Sequence, residues 1–159
     1  MSSQWNHELQ IMKPFPVPKR EGNTGQNRET SWKENWYRYR GQIDVYGADV
    51  VSEVVNLKVL IIGLNGVGAE VAKTLALEGV GSLFLNDDSL VTIRDLGVNF
   101  LLSEDHVGRS KSSACLDQLK TLGHGTVKVE VIKGSVKEAE LRNVDIVIDC
   151  SLNMNEAIS

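Results

Sequence analysis

The chain of 159 residues carries 17 Lys and Arg against 21 Asp and Glu, a net charge of −4, with 42% hydrophobic residues. That is about one domain with apolar content for a modest core, and its acidic balance argues against general nucleic-acid affinity. No apolar run approaches the roughly 20 residues of a membrane span, the opening MSSQWNHELQ lacks a basic-then-apolar signal, and Cys115 and Cys150 form neither a metal motif nor a disulfide framework, so a reducing cytoplasmic or nuclear setting is expected.

Residues 1–30 are rich in Pro, Asn, Gly, Gln and charge, and PFPVPKR at Pro14 to Arg20 favours an extended polyproline-like path. We expect a flexible leader, with a docking peptide for an aromatic groove as the sharper alternative. Trp5, Trp32 and Trp36 all fall early in the chain. Trp32 and Trp36 have helical spacing beside Tyr37 and Tyr39, which points to packing against the chain's own surface or against another subunit. Residues 31–56 therefore read as an aromatic segment followed by a leading helix, GADVVSEVVN, with Val50, Val51, Val54 and Val55 on one face.

The most informative stretch runs from Leu57 to Asp88. Leu57, Val59, Leu60, Ile61 and Ile62 make the continuous apolar run of a parallel strand buried on both faces. Gly63, Gly66 and Gly68 follow in a tight turn, where missing side chains let backbone N–H groups approach an anionic phosphate at a helix N-terminus. The helix itself is marked by Val67, Val71 and Leu75 at helical spacing, by the small residues Ala69, Ala72 and Ala76, and by Gly79 as terminator. Strand two follows at Leu83 to Leu85, with Asp87 near the distance expected of a carboxylate that accepts hydrogen bonds from ribose hydroxyls. Asn65 stands where G-x-G-x-x-G has its middle glycine. Asn tolerates unusual backbone, so the turn is expected to survive while the side chain narrows the phosphate approach.

Beyond Asp88, Gly and charge interrupt SLVTIRDLGVNFLLSEDHVGRSK into two short helices, with Ser103 as an N-cap. Ser110 to Leu122 reads as a helix with Ala114, Leu119 and Leu122 facing inward and Gly123 ending it. Val127, Val129 and Val131 alternate in strand three, and VDIVID, Val144 to Asp149, makes strand four. Both cysteines read as packing residues, since no His or cation is evident near Cys115 to activate it. The fold class is thus α/β, a doubly wound, mostly parallel Rossmann-like sheet in order 3-2-1-4, with ligand at the carboxyl ends of its strands.

Such a unit suits more than one class of protein. An NAD(P)-binding oxidoreductase fragment would use the same turn and Asp87, although no catalytic His, Tyr–Lys or Cys constellation is apparent. A ligand-free interaction module would use the Trp-bearing leader instead.

Four stretches, YRGQIDVYG at Tyr39, GAEVAKTLALEGVGSL after the glycine turn, DLGVNFLLSEDHVGRSK at Asp95 and VDIVIDCSLN at Val144, carry a resemblance that no single motif does. From Tyr39 to about Asn153 the chain resembles the ThiF-type adenylation fold of ubiquitin-activating enzymes and of their bacterial sulfur-carrier-activating relatives. The resemblance implies pairs of such folds, in which an active half uses ATP and magnesium to adenylate a ubiquitin-like protein's C-terminus. The other half is often silent. Carried over singly, Gly63, Gly66 and Gly68 match the ATP-facing turn that contains Asn65, Asp87 matches the ribose-binding acid, and Lys111 matches a phosphate-contacting lysine. Without the family, Lys111 reads as a solvated lysine at a helix start.

Three departures matter. Gly41 stands where the family usually has an arginine that reaches across to the partner's ATP, and Arg40, one residue away in what reads as an extended stretch, would face the opposite side. Val98 replaces an arginine of active members, and Leu152 replaces the aspartate associated with magnesium. The resemblance therefore implies no catalytic residue, no metal ligand, and weak or vestigial ATP binding. It also implies a heterodimer with a catalytic adenylation-fold subunit, through which a ubiquitin-like protein is met. The non-catalytic SUMO-activating small subunit and the N-terminal half of ubiquitin-activating enzyme are the nearest types. The end at Ser159, soon after strand four, predicts that residues 57–159 are a partial domain whose sheet is incomplete at its C-terminus.

Overall fold

The computed structural model describes residues 36–151, which fall into two compact units divided between Ser52 and Glu53. Trp5, Trp32, the PFPVPKR stretch and Leu152 lie outside the described residues. In the first unit, helix α1 spans Trp36–Tyr46 and helix α2 begins at Ala48. Between them Gly47 adopts φ 87°, and its N–H donates to the Ile43 carbonyl at 2.9 Å, the left-handed close that glycine makes without strain. The segment around Gln42, expected to be extended, is thus helical. A one-residue step there turns a side chain by about 100° rather than to the opposite face, and Arg40 is exposed. Helix α2 continues to Val54, but Val50 is exposed and only Val51 of its valines is fully buried, so the apolar face is narrower than its composition suggests.

The second unit is built on a four-stranded parallel sheet, in order β3-β2-β1-β4 as expected: β1 (Lys58–Ile62), β2 (Ser82–Asn86), β3 (Lys128–Val131) and β4 (Ile146–Asp149). Parallel register sets Ile62 beside Asn86 and Asp149, so the carboxyl ends of β1, β2 and β4 are level. Val59, Leu60, Ile61, Leu83 and Leu85 are all buried, as a strand run apolar on both faces requires. Helix α3 (Gly66–Glu78) crosses from β1 to β2 and seats Ala69, Ala72 and Ala76 fully buried in the core, their methyl groups letting the helix lie close. Gly79 ends it at φ 83° with its N–H on the Leu75 carbonyl. Val67 departs from the expected inward stripe. It sits in the helix's first turn at 66% exposure, at the mouth of the glycine turn rather than over the sheet.

After β2 the two expected short helices are 3-10 turns at Asp95–Gly97 and Glu104–His106. The second is closed by the Ser103 N–H donating to His106 Nδ1 at 3.1 Å. Helix α4 (Lys111–Leu122) buries Ser112, Ala114, Cys115 and Leu119, and the short helix α5 (Glu138–Leu141) precedes β4. Leu119, Cys115 and Val129 join the core against α3's alanines. Of the valines expected to alternate, Val127 lies just before β3 and is buried like Val129, while Val131 is only half-buried, as Glu130 is. On β4, Ile146 and Val147 are both partly open to solvent, which marks the edge of the described sheet. No helix among the described residues is long and apolar enough to cross a membrane.

One buried group is a local defect. Ser112 is 0% exposed, and its hydroxyl has no hydrogen-bond partner among the described residues. Removing an unpaired buried hydroxyl recovers its desolvation penalty, and alanine is also the better helix former. Ser112→Ala is expected to raise stability by about 1 kcal/mol, seen as a higher urea midpoint at unchanged slope; a lower midpoint would mean that the hydroxyl has a partner.

Candidate functional site

The glycine turn between β1 and α3 is glycine by necessity. Gly63 lies at φ 82°, and a Cβ there would stand 2.8 Å from the Ser151 nitrogen. A Cβ on Gly66 would approach the Val98 carbonyl to 2.9 Å, and one on Gly68 would collide with the Gly63 carbonyl oxygen. These contacts bring bare backbone to the carboxyl edge of the sheet and put the first turn of α3 beside it. The N–H groups of Gly66 and Val67 have no intrahelical acceptor there, as in any first helical turn.

Asn65 does not simply narrow this approach. It is the N-cap of α3, its Oδ1 accepting from the Gly68 N–H at 3.0 Å, while its Nδ2 donates to the Cys150 carbonyl at 2.7 Å. The amide is fixed on both sides and ties the turn to the end of β4. Asn99, 1% exposed, braces the same turn from below by donating to the Leu64 carbonyl at 3.0 Å.

A cleft of about 360 Å³ opens over this edge, lined by Ile62, Gly63, Asn65, Asn86, Asp87, Asp88, Ser89, Lys111 and Ser151. It lies in the size range of small-ligand sites and at the crevice beyond the strand ends where parallel sheets receive ligands. Of the six residues singled out from sequence, Gly63, Asn65, Asp87 and Lys111 line it directly. Gly66 and Gly68 shape the turn behind it. Asp87 Oδ2 accepts from the Leu64 N–H at 2.7 Å, and Oδ1 accepts from both the N–H and the hydroxyl of Ser89, at 3.0 and 2.5 Å. A carboxylate offers about four acceptor positions, so one remains for a ligand hydroxyl.

Lys111 is not a solvated surface lysine. Its ammonium stands 2.8 Å from Asp95 Oδ1, with side chains only 14% and 17% exposed. Thr92 donates to the other Asp95 oxygen through its N–H at 2.8 Å and its hydroxyl at 2.7 Å. Burial pushes the Asp95 carboxyl up, but the hydrogen bonds from Lys111 and Thr92 and the lysine's charge outweigh it and hold the group at about 2. Cys115, close behind, is held up at about 11 chiefly by burial, which fits a packing role.

Asp95 was not singled out from the sequence, and neither were Asn86, Asp88, Ser89 and Ser151. The run of polar residues after β2 carried the signal for the lining group. Asn86 donates to the Ile132 and Gly134 carbonyls, and Asp88 accepts from the Gly134 N–H, so these two also hold the loop after β3 against the cleft. Val98, by contrast, is placed where its identity matters. Its Cβ would lie 3.5 Å from a Cβ on Gly66, so the side chain at position 98 stands at the N-terminus of α3, and it is 64% exposed.

A parallel 3-2-1-4 sheet with a glycine turn, a capped helix and an acid at the end of strand two defines a Rossmann-like α/β domain. Comparison narrows the class: the chain belongs to the ThiF family, whose profile matches residues 39–156. It is 37% identical over 117 residues to ubiquitin-activating enzyme E1 1 of Triticum aestivum, covering 74% of this chain and 11% of that protein. It is also 37% identical over 120 residues to ubiquitin-like modifier-activating enzyme 7 of Homo sapiens, covering 76% and 12%. The chain thus spans 11–12% of the length of these curated relatives. Among solved structures, the E. coli tRNA N6-threonylcarbamoyladenosine dehydratase TcdA shares the fold at 22% identity and a TM-score of 0.64, over 74% of this chain and 52% of that one. E. coli MccB, crystallised with MccA-N7isoASN, is 25% identical with a TM-score of 0.62, over 89% and 41%. TcdA has been crystallised in complex with ATP and with AMP.

Proposed function

We propose that this chain is part of the non-adenylating half of a ubiquitin-like modifier activating enzyme. It pairs with a catalytic adenylation-fold half and meets the modifier only through that complex, in the cytoplasm or nucleus. The carrying observation is Val98: an uncharged, exposed side chain beside Gly66, at the helix N-terminus where charge on a transferred phosphate would be stabilised. The resemblance places an arginine of active members at this position.

The residues present fit the nucleoside part of ATP better than its reactive part. Asp87 would hold the ribose, while the Gly63–Gly68 turn, with the Leu64 and Gly68 N–H groups already bonded to Asp87 and Asn65, would hold a phosphate only weakly. Bound ATP supplies the phosphoanhydride that adenylation consumes, and this half offers no guanidinium to draw charge off it. Three of the roughly four acceptor positions of Asp87 are taken and Asp88 accepts from the Gly134 N–H, which leaves few oxygens for a hard cation. The fold instead contributes a rigid sheet that buttresses its partner.

The test is ATP–pyrophosphate exchange. The chain alone, with magnesium and any ubiquitin-like protein, is expected to show none, and affinity capture is expected to recover a second adenylation-fold chain. Exchange by the isolated chain would overturn the assignment.

A further inference from the structure

We propose that the Asp95–Lys111 ion pair makes this cleft prefer an uncharged ribonucleoside over nucleoside polyphosphates. The inference rests on the non-adenylating reading above and names the ligand class that such a cleft retains. Among the described residues lining the cleft, Lys111 is the one cation, beside the carboxylates Asp87 and Asp88. Its charge is already answered by Asp95 at 2.8 Å. Asp95 does not itself line the cleft; it neutralises Lys111 from behind, which leaves Asp87 and Asp88 as the unbalanced charges of the lining. A polyphosphate would add several negative charges to a site whose own balance is negative.

The pair does not yield easily to an incoming phosphate. Thr92 fixes the far oxygen of Asp95 with two hydrogen bonds, so the carboxylate is aimed at Lys111 before any ligand arrives. Two amides of the glycine turn are also committed, Leu64 N–H to Asp87 and Gly68 N–H to Asn65. Beyond the Gly66 and Val67 amides behind the turn, what the cleft lining still offers is mainly acceptors. Asp87 keeps a free acceptor position, Asp88 and the Ser89 hydroxyl stand beside it, and sugar hydroxyls are donors that suit them. A volume of about 360 Å³ lies near the lower end of small-ligand pockets, which matches a nucleoside rather than a dinucleotide.

The experiment is calorimetric titration of the full chain with adenosine, AMP and ATP, without magnesium, in one buffer. Adenosine is expected to bind, AMP more weakly, and ATP roughly tenfold or more weaker than adenosine, since repulsion of that size is ordinary for facing like charges. Asp95→Asn frees the ammonium and is expected to shift the ATP-to-adenosine affinity ratio by roughly tenfold in favour of ATP, with circular dichroism confirming the fold. A second readout needs no variant: raising ionic strength on the wild-type chain should narrow the preference by screening. Absence of adenosine binding, ATP binding as tight as adenosine, or a preference indifferent to both salt and Asp95→Asn would each overturn the proposal. Pyrophosphate exchange in the same preparation reports separately on the non-adenylating reading, so the two can fail independently.

Discussion

Gly68→Val is expected to abolish the folded state of the second unit, and Gly68→Ala to destabilise it by about 3–5 kcal/mol, the range of substitutions that force backbone apart. The Cβ would collide with the Gly63 carbonyl oxygen, and neither side of that contact can move aside. Gly63 is held by its N–H on the Asn86 carbonyl at 2.9 Å and is pressed by the Ser151 nitrogen, 2.8 Å from where its own Cβ would be. Relief must therefore come from separating α3 from the ends of β1 and β4, which uncovers Ala69 and Ala72. Gly97→Ala is the control from the same unit. Nothing lies within 4 Å of its Cβ position and its φ is not left-handed, so a change within about 0.5 kcal/mol is expected. Urea unfolding followed by circular dichroism measures both. A Gly68→Ala variant as stable as Gly97→Ala would mean that the turn is far more compliant than its packing indicates.

The strand-turn-helix-strand core was legible because its signals are local. A both-faces-buried strand writes itself as an unbroken apolar run, and Ala69, Ala72 and Ala76 fall on one helical face whatever the rest of the chain does. The order of the sheet then followed from right-handed crossovers. Where the reading went astray, the deciding contact lay elsewhere in the chain. Gly123 does end its helix as expected, but its φ of −70° suits any residue, and what keeps it small is that a Cβ would stand 2.9 Å from the Val127 Cβ, a contact made after the helix. Val67 and Val50 follow helical spacing but face solvent, since periodicity fixes a stripe's angle and not which end of it meets the core. Gln42 and its neighbours were expected to be extended, while the structure winds them into α1 despite Gly41, whose helix propensity is low.

The candidate site was half legible for the same reason. Gly63, Asn65 and Asp87 sit at fixed offsets from strand ends, so a motif can carry them. Asp95 does not. Its bonds from Thr92, three residues earlier, are a local T-x-x-D contact, but its significance depends on Lys111, at the start of α4, and no spacing along the sequence encodes that meeting. The same is true of Asn65's second bond, since the Cys150 carbonyl arrives from β4, 85 residues away.

Lys111→Met is expected to destabilise the second unit by about 1–2 kcal/mol at neutral pH, a figure reduced from the buried-pair range because both side chains keep some contact with water. The more telling expectation is how this difference changes with acid. In the wild type, the Asp95 carboxyl titrates at about 2, below its ordinary 3.8, because hydrogen bonds from Lys111 and Thr92 and the lysine's charge overcome the upward push of burial. A depressed carboxyl contributes stability that is present above its unfolded value and is lost as pH falls through the folded one, here between about 4 and about 2. Methionine removes the largest opposing hydrogen bond and the charge while burial persists, so the group moves upward and the penalty for holding it ionised is felt at neutral pH. Protonation relieves that penalty. The stability gap between wild type and Lys111→Met should therefore shrink steadily as pH is lowered from about 5 toward 2, read from urea midpoints at each pH. A gap that stays constant across this window would show that lysine acts through the packing of its stem rather than through its charge, and would remove the electrostatic basis on which the cleft's ligand preference has been inferred.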